Sequence, residues 1–393
     1  VIVIGAGQAG LCLSHSLQRR GIAHLVLERD RPFASWHRRW DSFVANTPNW
    51  MNELPPLAGR TPGRDPDGFA TREELLAYFD ACHAAVRPPI RTGVAVRRIE
   101  PEGEGWRVLG SDGEYLACCV AVCTGAMNRP RIPAEASRIP PSVPQLHSSE
   151  YLRPAQVPGD SVLLVGSGSS GTQICGDLCR SGRFREVHLA VSDTLVLPRH
   201  VLGIPVHRFL HRLGLFDVGA RSWRGRLLYS GLETRGDPIL RPSPRDLSRT
   251  HGVRLHGKLV GADGEALHFA GGERLGLSGL AIVWCTGFRA DYDWIGVPDA
   301  QETFDARGYP VHERGVVRRW PGLYFVGLRY QSTVASHDLY GVGRDAEYVA
   351  DRIAGRLASG GLVSPPSPAA PASPGPRSAA LPARGSGASR RAS

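Results

Sequence analysis

From the first residue onward, short apolar runs ending in glycine alternate with amphipathic stretches, the pattern of strands feeding helices. Val1–Ile4 has no polar break, as expected of a strand buried on both faces of a parallel sheet. A helical stretch then runs to about Arg20, and Leu25-Val-Leu-Glu28 reads as a second strand. The same grammar returns later, with a strand at Ser161-Val-Leu-Leu-Val165, a helix to about Arg180 and a strand over Val187–Val191. The Pro-rich stretch from Asn128 to Pro158 reads as a linker between the two units. A strand at Leu280-Ala-Ile-Val-Trp284, another within Gly322-Leu-Tyr-Phe-Val-Gly327 and a helix from about Gly343 to Ala358 follow. The pattern predicts an α/β fold of two Rossmann-like dinucleotide-binding domains, the second inserted in the first. Residues 1–127 and 281–358 form the outer domain, 128–158 the linker and 159–280 the inserted domain. Residues 360–393, rich in Pro, Ser, Ala, Gly and Arg, are expected to be a disordered tail.

Each repeat carries G-x-G-x-x-G between strand and helix: Gly5-Ala-Gly7-Gln-Ala-Gly10, and Gly166-Ser-Gly168-Ser-Ser170-Gly171. In such a loop the first glycine allows the tight turn and the second lets backbone approach a pyrophosphate. The third lets helix pack on strand, and the free N–H groups at the helix start bind the anion. Glu28 ends the next strand, where a carboxylate accepts from ribose hydroxyls. At the matching place the second repeat has Ser192, with Asp193 beside it. A missing acid tolerates a 2′-phosphate and favours NADPH, Asp193 keeps NADH open, and Arg199 is a candidate phosphate partner or an ordinary surface arginine. Two dinucleotide sites in one chain imply electron transfer between two cofactors.

Composition narrows this little. The 393-residue chain is 42% hydrophobic and 21% charged, with no apolar run long enough to span a membrane. Its net charge of +10 raises nucleic-acid binding. Nearly all the basic residues are scattered arginines, however, and without a basic stripe interleaved with aromatics no nucleic-acid partner is expected. Cys12, Cys82, Cys118, Cys119, Cys123, Cys175, Cys179 and Cys285 lack paired C-x-x-C spacing and sit largely in apolar runs. They read as buried thiols in a reducing cytoplasm, and no metal cluster stands out. Opening directly on a strand suggests that a few N-terminal residues are missing, so any targeting segment is not visible.

Several further motifs carry a resemblance: Trp36-His-Arg-Arg-Trp40-Asp-Ser, Cys123-Thr-Gly125, Leu197-Pro-Arg-His-Val-Leu-Gly203, Cys285-Thr286-Gly287-Phe-Arg-Ala-Asp291, and Gly341-Val-Gly-Arg-Asp345-Ala-Glu-Tyr. With the two glycine loops, they make residues 1–358 resemble the class B flavin-dependent monooxygenases. That group holds the flavin-containing monooxygenases, the YUCCA-type enzymes and bacterial flavoproteins linked by label to cation transport. The resemblance implies FAD at the first loop and NADPH, or NADH, at the second. Hydride would pass to FAD, which captures O2 as a C4a-(hydro)peroxide and gives one oxygen atom to a small organic or metalloid substrate. It also implies that Gly125, Thr286 and Gly287 line the cofactors and that Trp36 walls the flavin. Asn46, in Phe43-Val-Ala-Asn46-Thr-Pro, matches the amide that the family sets beside the isoalloxazine; Asn before Thr-Pro is also a common turn former.

The family fingerprint F-x-G-x-x-x-H-x-x-x-[WY] is half present. His147 and Tyr151 match its end, while Pro141 and Val143 replace its Phe and Gly. His147 is otherwise a linker histidine satisfied by backbone. Two other functions stay open: a disulfide reductase, for which Cys175 and Cys179 have the wrong spacing, and a non-catalytic flavin-binding redox regulator. Leu197–Gly203 resembles the YUCCA-type pattern, whose substrates are aryl 2-oxo acids, but amines, thioethers, ketones and trivalent arsenicals remain alternatives.

Overall fold

The structure is a computed structural model that describes residues 1–125, 127, 129–235 and 237–360. From residue 361 the expected tail lies outside the described residues.

The chain starts in the middle of a sheet. Strand β1 (Ile2–Ile4) leads through the first glycine loop into helix α1 (Gln8–Arg19) and returns as β2 (Leu25–Glu28). Helix α2 (Arg72–Val86) follows a long loop and opens on a capping box, in which Thr71 and Glu74 satisfy each other's backbone N–H groups. Strand β3 (Ile90–Thr92) pairs with β2. An antiparallel three-stranded sheet, Arg98–Glu102, Gly105–Gly110 and Gly113–Ala117, then contributes Trp106, Val108 and Tyr115 to a core against one face of the first sheet. Strand β4 (Val120–Val122) pairs in parallel with β1.

The second unit begins earlier than its glycine loop. Within the segment expected as a linker, Gln145–His147 forms β5, the edge strand of the second sheet. Strand β6 (Ser161–Val165) is buried along its whole length, as its unbroken apolar pattern requires, and leads into α3 (Ser169–Arg180). Strands β7 (Glu186–Ala190), β8 (Arg254–His256) and β9 (Leu280–Trp284) complete an all-parallel sheet in the order β8-β7-β6-β9-β5. Leu280–Trp284, expected to open the return to the outer domain, is thus a strand of the second sheet, in register with β6 from Ser161↔Leu280 to Val165↔Trp284. The return is made by β10 (Leu323–Phe325), giving the first sheet the all-parallel order β10-β4-β1-β2-β3. Helix α4 (Leu339–Ala358) closes the first unit by packing on α1.

The outgoing and returning connections touch. Arg129–Pro130 pairs antiparallel with Phe288–Arg289, and the Arg131 N–H donates to the Gly287 carbonyl at 2.9 Å. One buried cluster crosses both units, running from Val3, Leu11 and Trp40 through Tyr151 to Leu164, Ile174 and Val283. Each fully buried aliphatic side chain in it contributes about 1.5–3 kcal/mol.

Candidate functional site

The two glycine loops have the same stereochemistry. Gly5 lies at φ +102°, and a Cβ there would meet the Cys123 carbonyl oxygen at 2.7 Å; Gly166 lies at φ +108°, with the Cys285 oxygen at 2.5 Å. A Cβ on Gly10 would fall 1.9 Å from the Gly5 oxygen, and one on Gly171 equally close to the Gly166 oxygen. Gly7 and Gly168 differ, since a Cβ on either meets no protein atom within 4 Å. Neither α1 nor α3 has a side-chain cap, so no capping side chain satisfies the N–H groups of their first turns. Ser170 lies in the first turn of α3 and is half-buried. Each loop abuts a Cys-Thr-Gly turn, and the closing glycines nearly coincide in conformation, Gly125 at φ +81° and Gly287 at φ +80°. The Thr286 hydroxyl donates to the Arg131 carbonyl, and the Tyr292 hydroxyl to that of Gly125 at 3.4 Å.

At the strand ends the repeats diverge in a reciprocal way. Glu28 holds its own loop, accepting from the Ala6 N–H at 2.7 Å through one oxygen and from the Asp30 N–H at 3.0 Å through the other. In the second unit the residue after the first glycine is Ser167. Its hydroxyl accepts from the Ser192 N–H at 3.1 Å and lies 3.3 Å from the Ser192 carbonyl. The pair Ala6 and Glu28 is replaced by Ser167 and Ser192, keeping the tie between loop and strand end while removing the negative charge. Aligning the two repeats residue by residue gives the signal for Ser167, which the motif alone passes over. Asp193 is exposed. Arg199 is half-buried with its guanidinium carbon 4.4 Å from the Phe69 ring centroid. Burial holds its pKa below the usual arginine value.

Trp36 is half-buried, tilted against Phe79 at 5.1 Å and edge-on to Phe43 at 6.0 Å. Its indole N–H donates to Gln8 Oε1 at 2.8 Å, and Gln8 Nε2 donates to the His337 carbonyl at 3.0 Å. Gln8 therefore joins the first loop to the approach of α4. Asn46 lies between the units, where its Oδ1 accepts from Gln173 Nε2 at 3.0 Å. Gln173 projects from α3, two residues past Gly171; its type and position match no dinucleotide motif, so sequence reasoning missed it.

His147 is buried on β5. Its Nε2 lies 3.0 Å from the Gly287 carbonyl, which only accepts, so that nitrogen carries the proton; the Ser149 N–H donates to Nδ1 at 3.2 Å. Burial lowers its pKa from the usual histidine value. Tyr151, also buried, donates to Asp177 Oδ2 at 2.6 Å. Both fingerprint residues thus brace the junction. Cys175 and Cys179 sit one turn apart on α3. The Cys175 thiol hydrogen-bonds to Cys179 and is pushed well up by that bond and by burial. Among the described residues no group of three or more His, Cys, Asp or Glu could hold a metal ion, and no helix is long and apolar enough to cross a membrane.

Two all-parallel sheets, each feeding an uncapped helix through the same glycine loop, define an oxidoreductase fold with two dinucleotide-type units. The chain belongs to the pyridine nucleotide-disulphide oxidoreductase family, whose pattern matches residues 2–200. It is an oxidoreductase, and it is similar to flavin-dependent monooxygenases. Over 90% of its length it is 33% identical to an uncharacterized CzcO-like oxidoreductase of Geobacillus kaustophilus, covering 97% of that relative. It is 28% identical to the indole-3-pyruvate monooxygenase YUCCA1 of Oryza sativa subsp. japonica, over 88% of this chain and 90% of that one. In fold it matches the flavin-containing monooxygenase from Stenotrophomonas maltophilia with a TM-score of 0.69 at 24% identity, covering 91% of this chain and 98% of the other.

Proposed function

We propose that this enzyme binds FAD at Gly5–Gly10 and a nicotinamide coenzyme, preferentially NADPH, at Gly166–Gly171, and oxygenates a small organic or metalloid molecule with O2. The single observation that carries this reading is the duplicated cradle. In both loops the flanking glycines are closed against backbone while the central glycine opens on space that a Cβ would enter. An extended pyrophosphate fits such a cradle, and the helix N–H groups beside it supply the hydrogen bonds. FAD, when bound there, would carry reducing equivalents from the coenzyme to O2, which is the source of the oxygen atom transferred and of the water released.

The remaining chemistry falls to this chain's own residues. The Glu28 oxygens each have capacity beyond the N–H group they already accept, and that capacity takes the ribose hydroxyls. Trp36, held by Gln8, walls the flavin side of the first loop. The Gly125, Thr286 and Gly287 turns let backbone lie close to both cofactors. Asn46 offers a carboxamide at the junction to hydrogen-bond the reacting oxygen and hold water away. Arg199 pairs with the coenzyme 2′-phosphate, a role supported by its desolvated guanidinium and by the charge lost at Ser192.

The free cysteines fit action in a reducing cytoplasm. The rice relative is named for indole-3-pyruvate, which makes aryl 2-oxo acids the first substrates to assay here, before thioethers, amines, ketones and arsenite. The deciding experiment supplies NADPH and labelled O2 to the flavin-loaded enzyme with each candidate. Label in an organic or metalloid product supports the reading. NADPH-driven cleavage of a disulfide under anaerobic conditions, with no oxygen transfer to any candidate, would replace it with disulfide reduction.

A further inference from the structure

We propose that Gln173 is a positioning residue that dictates which end of the Asn46 carboxamide faces the flavin, so that the nicotinamide-side helix sets the chemistry of the flavin-side amide. This rests on the placement of Asn46 beside the flavin in the reading above.

A carboxamide has two ends of nearly equal size and opposite hydrogen-bonding character, so its orientation is decided by its neighbours. Gln173 is itself oriented by backbone. Its Oε1 accepts from the Val44 N–H at 3.3 Å and its Nε2 donates to the Val44 carbonyl at 2.9 Å. A peptide N–H cannot accept and a carbonyl cannot donate, so the Gln173 amide has only one orientation that satisfies both. The second hydrogen of Nε2 is then directed to Asn46, 3.0 Å away, and can be received only by Oδ1. Both Asn46 N–H donors are left pointing away from Gln173. Turning Asn46 over would set Nδ2 against Nε2, two donors with no acceptor between them, in a half-buried place. The order runs from the Val44 backbone through Gln173 to Asn46, which thereby presents donors to a developing oxygen anion rather than an acceptor.

Gln173→Glu tests this because it keeps the shape and removes the donor. A carboxylate there draws Asn46 Nδ2 toward itself, so Asn46 turns its oxygen outward. The flavin-loaded variant is expected to show an altered visible absorbance and circular dichroism of the oxidised flavin. With NADPH it should release roughly three- to tenfold more H2O2 per turnover, the value of one hydrogen bond. In the Asn46→Ala background the same substitution should add nothing to either signal, since coupled residues are not additive. Effects of equal size in both backgrounds would overturn the proposal, because Gln173 would then act through α3 rather than through Asn46. If Asn46→Ala changes spectrum and H2O2 release while Gln173→Glu changes neither, the proposal alone falls. If Asn46→Ala is itself silent in both, the flavin-side placement of Asn46 falls and takes the proposal with it. Should Gln173→Glu not fold, Gln173→Met, unbranched and without a donor, is read by the same criteria.

Discussion

At Gly7 and Gly168 a methyl group meets no protein atom within 4 Å, whereas at Gly10 and Gly171 it would fall 1.9 Å from a carbonyl oxygen. The two kinds of glycine should therefore fail differently. Gly7→Ala is expected to fold with a melting temperature near that of the parent and to purify without the yellow of bound flavin. Gly168→Ala should stay yellow and be reduced slowly by NADPH. Gly10→Val is expected to lose both flavin and stability, and thermal melts beside absorbance spectra check all three. The reciprocal exchange at the strand ends predicts a designed switch. Ser192→Glu combined with Ser167→Ala gives the second loop the arrangement of the first, with a carboxylate where a 2′-phosphate would lie. Preference should move from NADPH toward NADH by roughly 1.5–3 kcal/mol, about ten- to hundredfold in the ratio of kcat/KM values. Arg199→Ala should raise KM for NADPH more than for NADH; equal increases would remove Arg199 from the phosphate. The glycine turns and the place of Glu28 beside its loop were legible because they follow from spacing along one strand-loop-helix unit. Gln173 and Ser167 were not, because each acts on a partner that the sequence places 129 or 25 residues away.

Among the elements, the short helix Val206–Arg212 carries a buried histidine with a measurable consequence. His207 stacks on Phe216 at 5.9 Å, and burial first, then the charge of Arg199, pushes its pKa down from 6.5 to about 4. The folded protein thus holds His207 neutral while the unfolded chain protonates it as the pH drops. Stability from this residue is complete above the unfolded value and is lost as the pH falls toward the folded one. The loss approaches about 3 kcal/mol at the acid end of that window. His207→Phe keeps a stacking ring and cannot titrate, so its melting temperature should fall less than the parent's between about pH 7.5 and about pH 5. Equal slopes for the two proteins would show that His207 does not carry the effect. Element boundaries show the limits of pattern reading. Strands β1 and β6 stood out because both faces are apolar, but apolarity does not say which sheet a strand joins. Pattern alone therefore assigns Leu280–Trp284, from residue 281, to the outer domain, whereas it pairs with β6 of the second sheet. Gln145–His147 was hidden among prolines because an edge strand needs only one pairing partner and little apolar surface.

On the scale of the molecule, a single buried cluster joins residues of both sheets, from Val3 to Val283 through Trp40 and Tyr151. Units that share a core should unfold together, so calorimetry of the flavin-loaded enzyme is expected to show one transition; two well-separated peaks would mean that the cluster does not couple them. The pairing of Arg129–Pro130 with Phe288–Arg289 has a further consequence. Outgoing and returning chains bound to one another give the units one common pivot in place of two independent ones. Any swing about that pivot carries α3 as a lever, and its Gln173 grips the Val44 N–H of the other unit at 3.3 Å. Parting of the units would release that amide, so its hydrogen exchange reads the contact between them, an event that a catalytic assay registers only as turnover.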